Sequence, residues 1–134
     1  MSEENVEIIT GIIASINAGN FLAAAESFHP DAEWRDLSHA PDTPELLMGV
    51  EAIVAVAAQW AQAFDKFGAE VFAYIDADPW VICDTRWYGE GRGSTLGIDV
   101  HQADAYEVRD GKVVRAVLAY PDTATALKAL GLEE

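Results

Sequence analysis

The stretch "GIDVHQADAYEVRDGKVVRAVLAY", residues 97–120, decides the class of fold. It holds two runs rich in β-branched and aromatic residues, and such runs favour β-strands. Asp110-Gly111 separates the two runs, and this dipeptide is a strong signal for a tight hairpin turn. The stretch therefore predicts two long antiparallel strands, residues 97–108 and 112–120, that meet at Asp110-Gly111.

Two more strand-like runs come before this hairpin. "AEVFAYIDA" covers residues 69–77, and "WVICDTRWYG" covers residues 80–89. A short turn joins them, and a glycine-rich turn, residues 89–97, leads to the hairpin. This second turn does not predict a phosphate-binding loop, because no helix follows it. The second half of the chain therefore predicts four consecutive strands.

Helical periodicity dominates the first half of the chain. "NVEIITGIIASI", residues 5–16, repeats apolar side chains at helical spacing. Second and third helices are predicted over residues 21–28 and 50–64, with the short strand "AEWRD", residues 32–36, between them. A short helix over residues 123–130 follows the last strand. Helices followed by a run of strands predict an α+β fold with an antiparallel sheet.

Composition limits the classes of protein and partner. The 134 residues contain no repeat and no linker-like segment, so one domain, residues 1–134, is predicted. Their 23 acidic and 8 basic side chains give a net charge of −15, which disfavours binding to nucleic acid or to an anionic membrane. No apolar run approaches the roughly 20 residues of a membrane-spanning helix. The acidic start lacks the basic region of a secretory signal, and the single cysteine, Cys83, allows no internal disulfide. We therefore expect a cytoplasmic protein.

The order of these elements resembles the nuclear transport factor 2-like superfamily, in its SnoaL-like, polyketide-cyclase-like branch. The resemblance is carried by "NAGNFLAAAESFHPDAEWRD", "GVEAIVAVAAQW", "RWYGEGRGS", "YEVRDGKVVRAVLAY" and "ALKALGL". It implies a cone-shaped, curved antiparallel sheet that packs on three N-terminal helices and encloses a cavity. The superfamily includes ketosteroid isomerase, limonene epoxide hydrolase, scytalone dehydratase, polyketide cyclases and members without catalytic activity. The fold alone therefore leaves the function open.

"HPDAEWRD", residues 29–36, is similar to the segment of ketosteroid isomerase whose last aspartate is the general base. The resemblance places Asp36 in that role, with Trp34 and Asp36 facing the cavity and Arg35 facing out. A base that works near neutral pH needs partial burial, and an aromatic neighbour supplies it. The alternative is that Asp36 ends the strand, caps a local turn and is solvated.

The same resemblance assigns faces to the other strands. It implies a ligand-binding wall formed by Trp34, Trp60, Phe64, Trp87, Gln102, Tyr106 and Tyr120. Asp104 shares a strand face with Gln102, which makes it a second catalytic acid–base group or an anchor for a donor. The alternatives are a solvated Asp104, and a Trp60 that only packs in the core.

The opposite face of the last two strands is predicted to be apolar. It would present Ala103, Ala105, Val113, Arg115, Val117 and Ala119, while Leu118 and Tyr120 point inward. No helix is expected to remain for this outer face, and an apolar face is rarely left in water. We therefore expect a homodimer through the outer sheet face.

The sequence departs from the characterised enzymes of the superfamily. The oxyanion tyrosine of ketosteroid isomerase is matched by Ile12, a supporting tyrosine by Ala57, and its protonated acid falls near Gln102. The arginine that limonene epoxide hydrolase needs in its cavity is absent, because Arg86 is expected to point outward. The three histidines have no metal-ligand spacing, so neither a metal nor another cofactor is predicted.

These expectations leave two classes of function open. The first is an acid–base enzyme of the isomerase, cyclase or hydratase/hydrolase type that acts without a metal. Its substrate would be a small apolar or polyketide-like molecule, with Asp36 as general base. The second is a non-catalytic ligand-binding module or a dimeric interaction module. An open cavity favours the enzyme or the binding module, and a cavity filled by side chains favours the interaction module.

Overall fold

A computed structural model of the protein describes residues 2–38, 44–92 and 97–132. Its helices are α1, Ser2–Asn17; α2, Phe21–Ala25; α3, Val50–Ala63; and α4, Thr123–Ala129. Its strands are β1, Phe28–Asp36; β2, Leu46–Met48; β3, Phe64–Ala77; β4, Trp80–Gly91; β5, Ile98–Arg109; and β6, Lys112–Tyr120. Residues 93–96 of the predicted glycine-rich turn lie outside the described residues.

The six strands form one curved, unclosed sheet in the order β2-β1-β6-β5-β4-β3. This arrangement confirms the α+β class that the sequence predicts. The prediction of a wholly antiparallel sheet is wrong at one pair, because β1 runs parallel to β6 while the other neighbours are antiparallel. Parallel neighbours need a long connection, and α3 with β2 to β5 provides it here.

The decisive hairpin forms as predicted. Asp110 and Gly111 have φ angles of 52° and 78°, and positive values at both central residues suit the tight turn that a twisted hairpin requires. The strand that follows has the predicted bounds, Lys112–Tyr120. Local turn chemistry thus fixes the pairing of β5 with β6.

The junction between α2 and β1 differs from the prediction. The helix stops at Ala25 and the strand starts at Phe28, so His29 and Pro30 lie in the strand rather than in a turn. Proline is tolerated where ladder pairing is interrupted, and the register of β1 against β6 is irregular between Phe28 and Glu33. The short strand β2 was not predicted.

Two irregularities in β6 change which residues share a face. Ala103 pairs with Tyr120 and Ala105 with Val117. Between these pairs, one residue of β5 lies opposite two residues of β6, which defines a β-bulge. Ala119 lies in this bulge with a φ of 72°. A second irregularity follows the pairing of Val108 with Val113. Near both ends of β6, the side chains therefore do not alternate regularly between the two faces of the sheet.

The sheet has a cavity face, which packs against α1 to α3, and an outer face, which packs against α4. Val113 belongs to the core on the cavity face, so its predicted outward position is wrong. On the outer face, Ala103, Ala105 and Val117 pack with Ala126 of α4 in a separate cluster. The expectation that no helix covers this face is also wrong, because α4 folds back over it. Among the described helices, none combines the length and the hydrophobicity that a membrane span requires.

Candidate functional site

A cavity of about 310 Å³ lies between α3 and the cavity face of the sheet. This volume is at the lower end of the roughly 300–1,000 Å³ range of small-molecule sites. The lining residues come from α3, from the segment after β1 and from five strands: Asp36, Ser38, Trp60, Phe64, Phe67, Trp87, Ile98, Val100, Gln102 and Leu118. Ser38 and Val100 are exposed and mark its opening.

An aromatic wall, composed of Trp60, Phe64, Phe67 and Trp87, forms much of the lining. Phe67 is its centre, since its ring stacks on Phe64 at 6.0 Å and on Trp87 at 5.8 Å. The edge contact between Phe67 and Trp60 has a centroid distance of 5.9 Å. Rings in mutual contact have few alternative rotamers, so the wall is a preformed apolar surface.

Asp36 is the last residue of β1 and lines the cavity although it is only 7% exposed. Its Oδ1 accepts a hydrogen bond of 2.9 Å from the backbone N–H of Ser38. Its Oδ2 accepts no hydrogen bond from the described residues. Asp36 therefore caps a local turn, as one alternative has it, yet it is not solvated. One of its two oxygens is available to a molecule in the cavity.

The orientation predicted for β1 is confirmed. Trp34 and Asp36 are both buried on the cavity face. Arg35 points away and forms an ion pair of 2.7 Å with Glu45, each side chain being 42% exposed. Alternation along the strand explains how a tryptophan and an aspartate come to share one wall.

Asp104 is completely buried and lies directly behind the cavity lining. Its Oδ2 accepts a hydrogen bond of 2.7 Å from Trp87 Nε1. Its Oδ1 accepts bonds of 2.7 Å from Gln102 Nε2 and 3.1 Å from the backbone N–H of Ala119. Burial, with a smaller contribution from the charge of Asp36, raises the pKa of Asp104 to about 6 against the lowering effect of these three donors.

The β-bulge in β6 helps to build this carboxylate site. In a regular antiparallel ladder the N–H of Ala119 would point along the sheet to a neighbouring strand. At the bulge, that N–H instead donates to Asp104, which lies opposite on β5. Leu118, the neighbour in the bulge, pairs with Asp36 on β1 and lines the cavity. The bulge therefore contacts both aspartates: Ala119 donates a hydrogen bond to Asp104, and Leu118 pairs with Asp36.

The predicted site residues separate into three groups. Asp36, Trp60, Phe64, Trp87 and Gln102 line the cavity. Trp34 lines a second, much smaller cavity of about 30 Å³, and Asp104 supports the lining without joining it. Two residues predicted to contact a ligand do not line the cavity. Tyr106 is 2% exposed within the core, and Tyr120 packs on the outer face, because the bulge reverses its direction.

Phe67, Ile98, Val100 and Ser38 line the cavity but were not among the predicted site residues. Ile98 and Val100 share the strand parity of Gln102, so extending the alternation along β5 would have found them. Phe67 follows the helix-to-strand junction, where Lys66 has a φ of 53° and the register is irregular. No simple period continues across such a junction, so the sequence carries little signal for Phe67.

The described lining contains one acidic side chain, Asp36, and no lysine or arginine. Arg86 points away from the cavity, as predicted, and pairs with Asp99 at 2.8 Å and with Glu70 at 3.7 Å. Cys83 is a buried thiol whose pKa is strongly raised by desolvation, so it is unsuited to act as a nucleophile. Within the described ranges, no three His, Cys, Asp or Glu side chains come together in a way that could hold a metal ion.

Comparison with known proteins identifies the family. The model of the SnoaL-like domain matches residues 9–116, which is most of the chain. The chain belongs to the SnoaL-like domain family. The matched region of this SnoaL-like domain includes both aspartates and the whole aromatic wall. Among curated protein sequences, none matches it.

Solved structures with the same fold are similar to this SnoaL-like domain at low sequence identity. A Catenulispora acidiphila protein with a ketosteroid isomerase-like fold, solved in complex with trimethylamine, is 19% identical over 95% of this chain and 94% of its own, with a TM-score of 0.74. TerC, co-crystallised with polyporic acid, is 16% identical over 95% and 97%, with a TM-score of 0.76. A proposed SnoaL-like polyketide cyclase from a Jannaschia species is 17% identical over 98% and 94%, with a TM-score of 0.74.

Proposed function

We propose that this SnoaL-like domain binds a small, largely apolar molecule in its cavity and that Asp36 accepts a proton from it as general base. The observation that carries the proposal is the position of Asp36. It is a nearly buried carboxylate in a mostly aromatic and aliphatic lining, with Oδ2 unengaged by the described residues. A carboxylate in such surroundings can meet a bound C–H or O–H group without competing water.

The other polar groups of the lining support binding more than strong activation of a substrate oxygen. Gln102 and Ser38 are neutral, and Ile12 and Ala57 replace the tyrosines that the family resemblance would require. Tyr106 and Tyr120 do not replace those tyrosines, because Tyr106 is buried in the core and Tyr120 packs on the outer face. Proton transfer by Asp36 would therefore work best on a substrate whose proton is already acidic. Two neighbours of this fold were solved with small organic molecules, which is consistent with a binding role here.

Binding can be tested without knowing the natural ligand. We would screen small aromatic ketones by ligand-observed NMR and repeat the screen on Val100→Trp, which places a large side chain at the cavity opening. Leu22→Trp is the matched control, because Leu22 is 73% exposed and does not line the cavity. Ketones that bind in the cavity should lose binding in the first variant and keep it in the second. A screen without a bound ketone, or binding unchanged in Val100→Trp, would contradict the cavity role.

The base role has its own test. In ketones that have a C–H group next to the carbonyl, exchange of this hydrogen for deuterium in heavy water can be followed by NMR. General base catalysis typically contributes about 10²–10⁴-fold, and we expect Asp36→Asn to remove an acceleration on this scale while binding persists. Binding with no acceleration in the wild-type protein would favour the non-catalytic binding module instead.

We also propose a homodimer through the outer sheet face, although the sequence-based reason for it, an uncovered apolar face, does not hold. The apolar part of the outer face is covered by α4. Elsewhere this face carries Arg86 with its acidic partners and the exposed Phe72 beside His101. A dimer through this face would thus need to use Phe72. Analytical ultracentrifugation of the wild-type protein and Phe72→Ser tests this, and a monomeric wild-type protein would contradict it.

A further inference from the structure

The cavity combines a negative charge with aromatic rings, and no described residue of its lining carries a positive charge. All eight lysines and arginines lie among the described residues, and none of them lines the cavity. Asp36 is the single charged lining side chain among the described residues. A nearly buried carboxylate without a positive partner is costly in an apolar site. A cationic ligand would supply the missing partner.

The orientation of Gln102 adds a second acceptor to the lining. Its Nε2 donates a hydrogen bond of 2.7 Å to Asp104 Oδ1, so its amide orientation is fixed by the buried carboxylate. The amide oxygen of Gln102 accepts no hydrogen bond from the described residues. The unengaged atoms at the polar side of the cavity therefore include two acceptors, Asp36 Oδ2 and Gln102 Oε1. Acceptors of this kind match a ligand that donates N–H bonds.

The aromatic wall suits the rest of such a ligand. The faces of tryptophan, tyrosine and phenylalanine attract cations, tryptophan most strongly, and rings around an alkylated nitrogen are a known way to bind it. Two tryptophans and two phenylalanines contribute to this wall. The net charge of −15 also favours the approach of cations over anions.

We infer that the cavity selects a protonated amine with apolar substituents, which Asp36 binds as counter-ion and whose alkyl or aryl groups lie against the aromatic wall. This inference rests on the proposed function, because it names the ligand class of the same cavity. It adds that the ligand carries a positive charge, which the proposed function does not require. A neutral ligand would leave Asp36 without a partner, and an anionic ligand would meet the like charge of Asp36.

Three probes of similar shape test the charge preference on the wild-type protein. N,N-dimethylbenzylamine is protonated at neutral pH, isobutylbenzene is its neutral carbon analogue, and 3-phenylpropionate is an anion. Hydrogen bonds to charged groups contribute about 1.5–3 kcal/mol, which corresponds to about 10–100-fold in affinity. We expect the amine to bind about 10–100-fold more tightly than isobutylbenzene, and 3-phenylpropionate to bind most weakly, as measured by ligand-observed NMR competition.

Variants distinguish the contribution of the counter-ion to affinity from the contribution of the aromatic wall. In Asp36→Asn the preference for the amine should disappear while the affinity for isobutylbenzene is retained. Asp31→Asn is the matched control, since Asp31 is an exposed acid on the same strand and its removal changes the net charge equally. Trp60→Leu should weaken the amine more than isobutylbenzene, which gives a second readout if Asp36→Asn does not fold.

The outcomes distinguish the two proposals. Binding of ketones and isobutylbenzene without a preference for the amine would overturn the inference and leave the proposed function intact. A preference that persists in Asp36→Asn would also overturn it, because the charge of Asp36 would not be its source. Failure of all ketones and all three probes to bind would overturn the inference together with the cavity role.

Discussion

Trp87 Nε1 donates a hydrogen bond of 2.7 Å to Asp104 Oδ2, so an aromatic ring of the cavity is fixed by a carboxylate that has no solvent exposure. Trp87 also stacks on Phe67. Trp87 therefore makes two kinds of contact: its ring packs within the aromatic wall, and its indole N–H donates to a carboxylate behind that wall. Asp104 acts on the cavity through Trp87 and Gln102, and is a positioning residue.

The first prediction concerns the pH dependence of stability. Burial raises the pKa of Asp104 to about 6 in the folded protein, compared with 3.8 for an unperturbed aspartate. Because the folded-state pKa is the higher one, this carboxyl stabilises the fold most at low pH, and the contribution is lost as pH rises through about 6. The full shift corresponds to about 3 kcal/mol, at about 1.4 kcal/mol for each pKa unit. Part of this contribution is already lost below pH 4, so Asp104→Asn should gain about 2 kcal/mol relative to wild type between pH 4 and pH 7. Urea denaturation of both proteins at the two pH values measures this difference, and parallel stability profiles would contradict it.

The second prediction concerns the hydrogen bond from Trp87. Trp87→Phe keeps an aromatic ring but removes a donor to a buried charge, so we expect a loss of about 1.5–3 kcal/mol in the free energy of unfolding at neutral pH. Because that donor lowers the pKa of Asp104, the pKa should rise in the variant, as measured by carboxyl-carbon NMR. Trp60→Phe is the control, since its indole makes no hydrogen bond with the described residues. An unchanged Asp104 titration in Trp87→Phe would show that the bond does not form in solution.

The third prediction concerns the bulge. Ala119 has a φ of 72°, a region that disfavours a residue with a side chain by roughly 1–2 kcal/mol, whereas glycine adopts it freely. Ala119→Gly should therefore leave stability unchanged or raise it by up to about 1 kcal/mol. Ala116→Gly, at a regular and fully buried position of the same strand, should lower stability by about 1 kcal/mol or more. Thermal unfolding of the pair checks the contrast, and equal losses would mean that no bulge strain exists.

The fourth prediction is that ketosteroid isomerisation is at most weak. Asp36 could act as base, but Ile12 is buried in the core and Ala57 borders only the smaller cavity, so neither position offers an oxyanion donor. Loss of a single such donor typically lowers the rate by about 10²–10³-fold. Absorbance of the conjugated product from a 3-oxo-Δ5-steroid measures the reaction. Efficient turnover that disappears in Asp36→Asn would show that other donors reach the substrate.

Sequence reasoning was most successful where a local pattern determines structure. Asp110-Gly111 specified the hairpin. The family resemblance, extended along the strands by alternation, placed Trp34, Asp36, Trp87 and Gln102 on the cavity face, and no irregularity interrupts those stretches. Tyr120 was assigned to the wrong face because the residues "VLAY" contain no signal for a bulge at Ala119. The prediction for Asp104 was half right: its face follows from alternation, but its depth behind Gln102 and Trp87 depends on packing across three strands.

The cover that α4 provides was missed for a similar reason. "TATALKAL" reads correctly as a helix, but its sequence does not say which sheet face it packs against. That depends on the direction of the chain after Tyr120, which lies on the outer face after the bulge at Ala119. The sequence therefore led to the wrong expectation that no helix covers this face.

The pairing of β1 with β6 has a consequence for the order in which the site can form. Asp36 comes early in the chain and pairs with Leu118, near the end of the last strand. During synthesis, the ribosome must release almost the whole chain before β1 finds this neighbour. Contacts between such distant segments form slowly because a large loop must close first. Until then β1 can pair only with β2, and Asp36 lacks its neighbour on β6. The cavity is therefore among the last parts of the molecule to form.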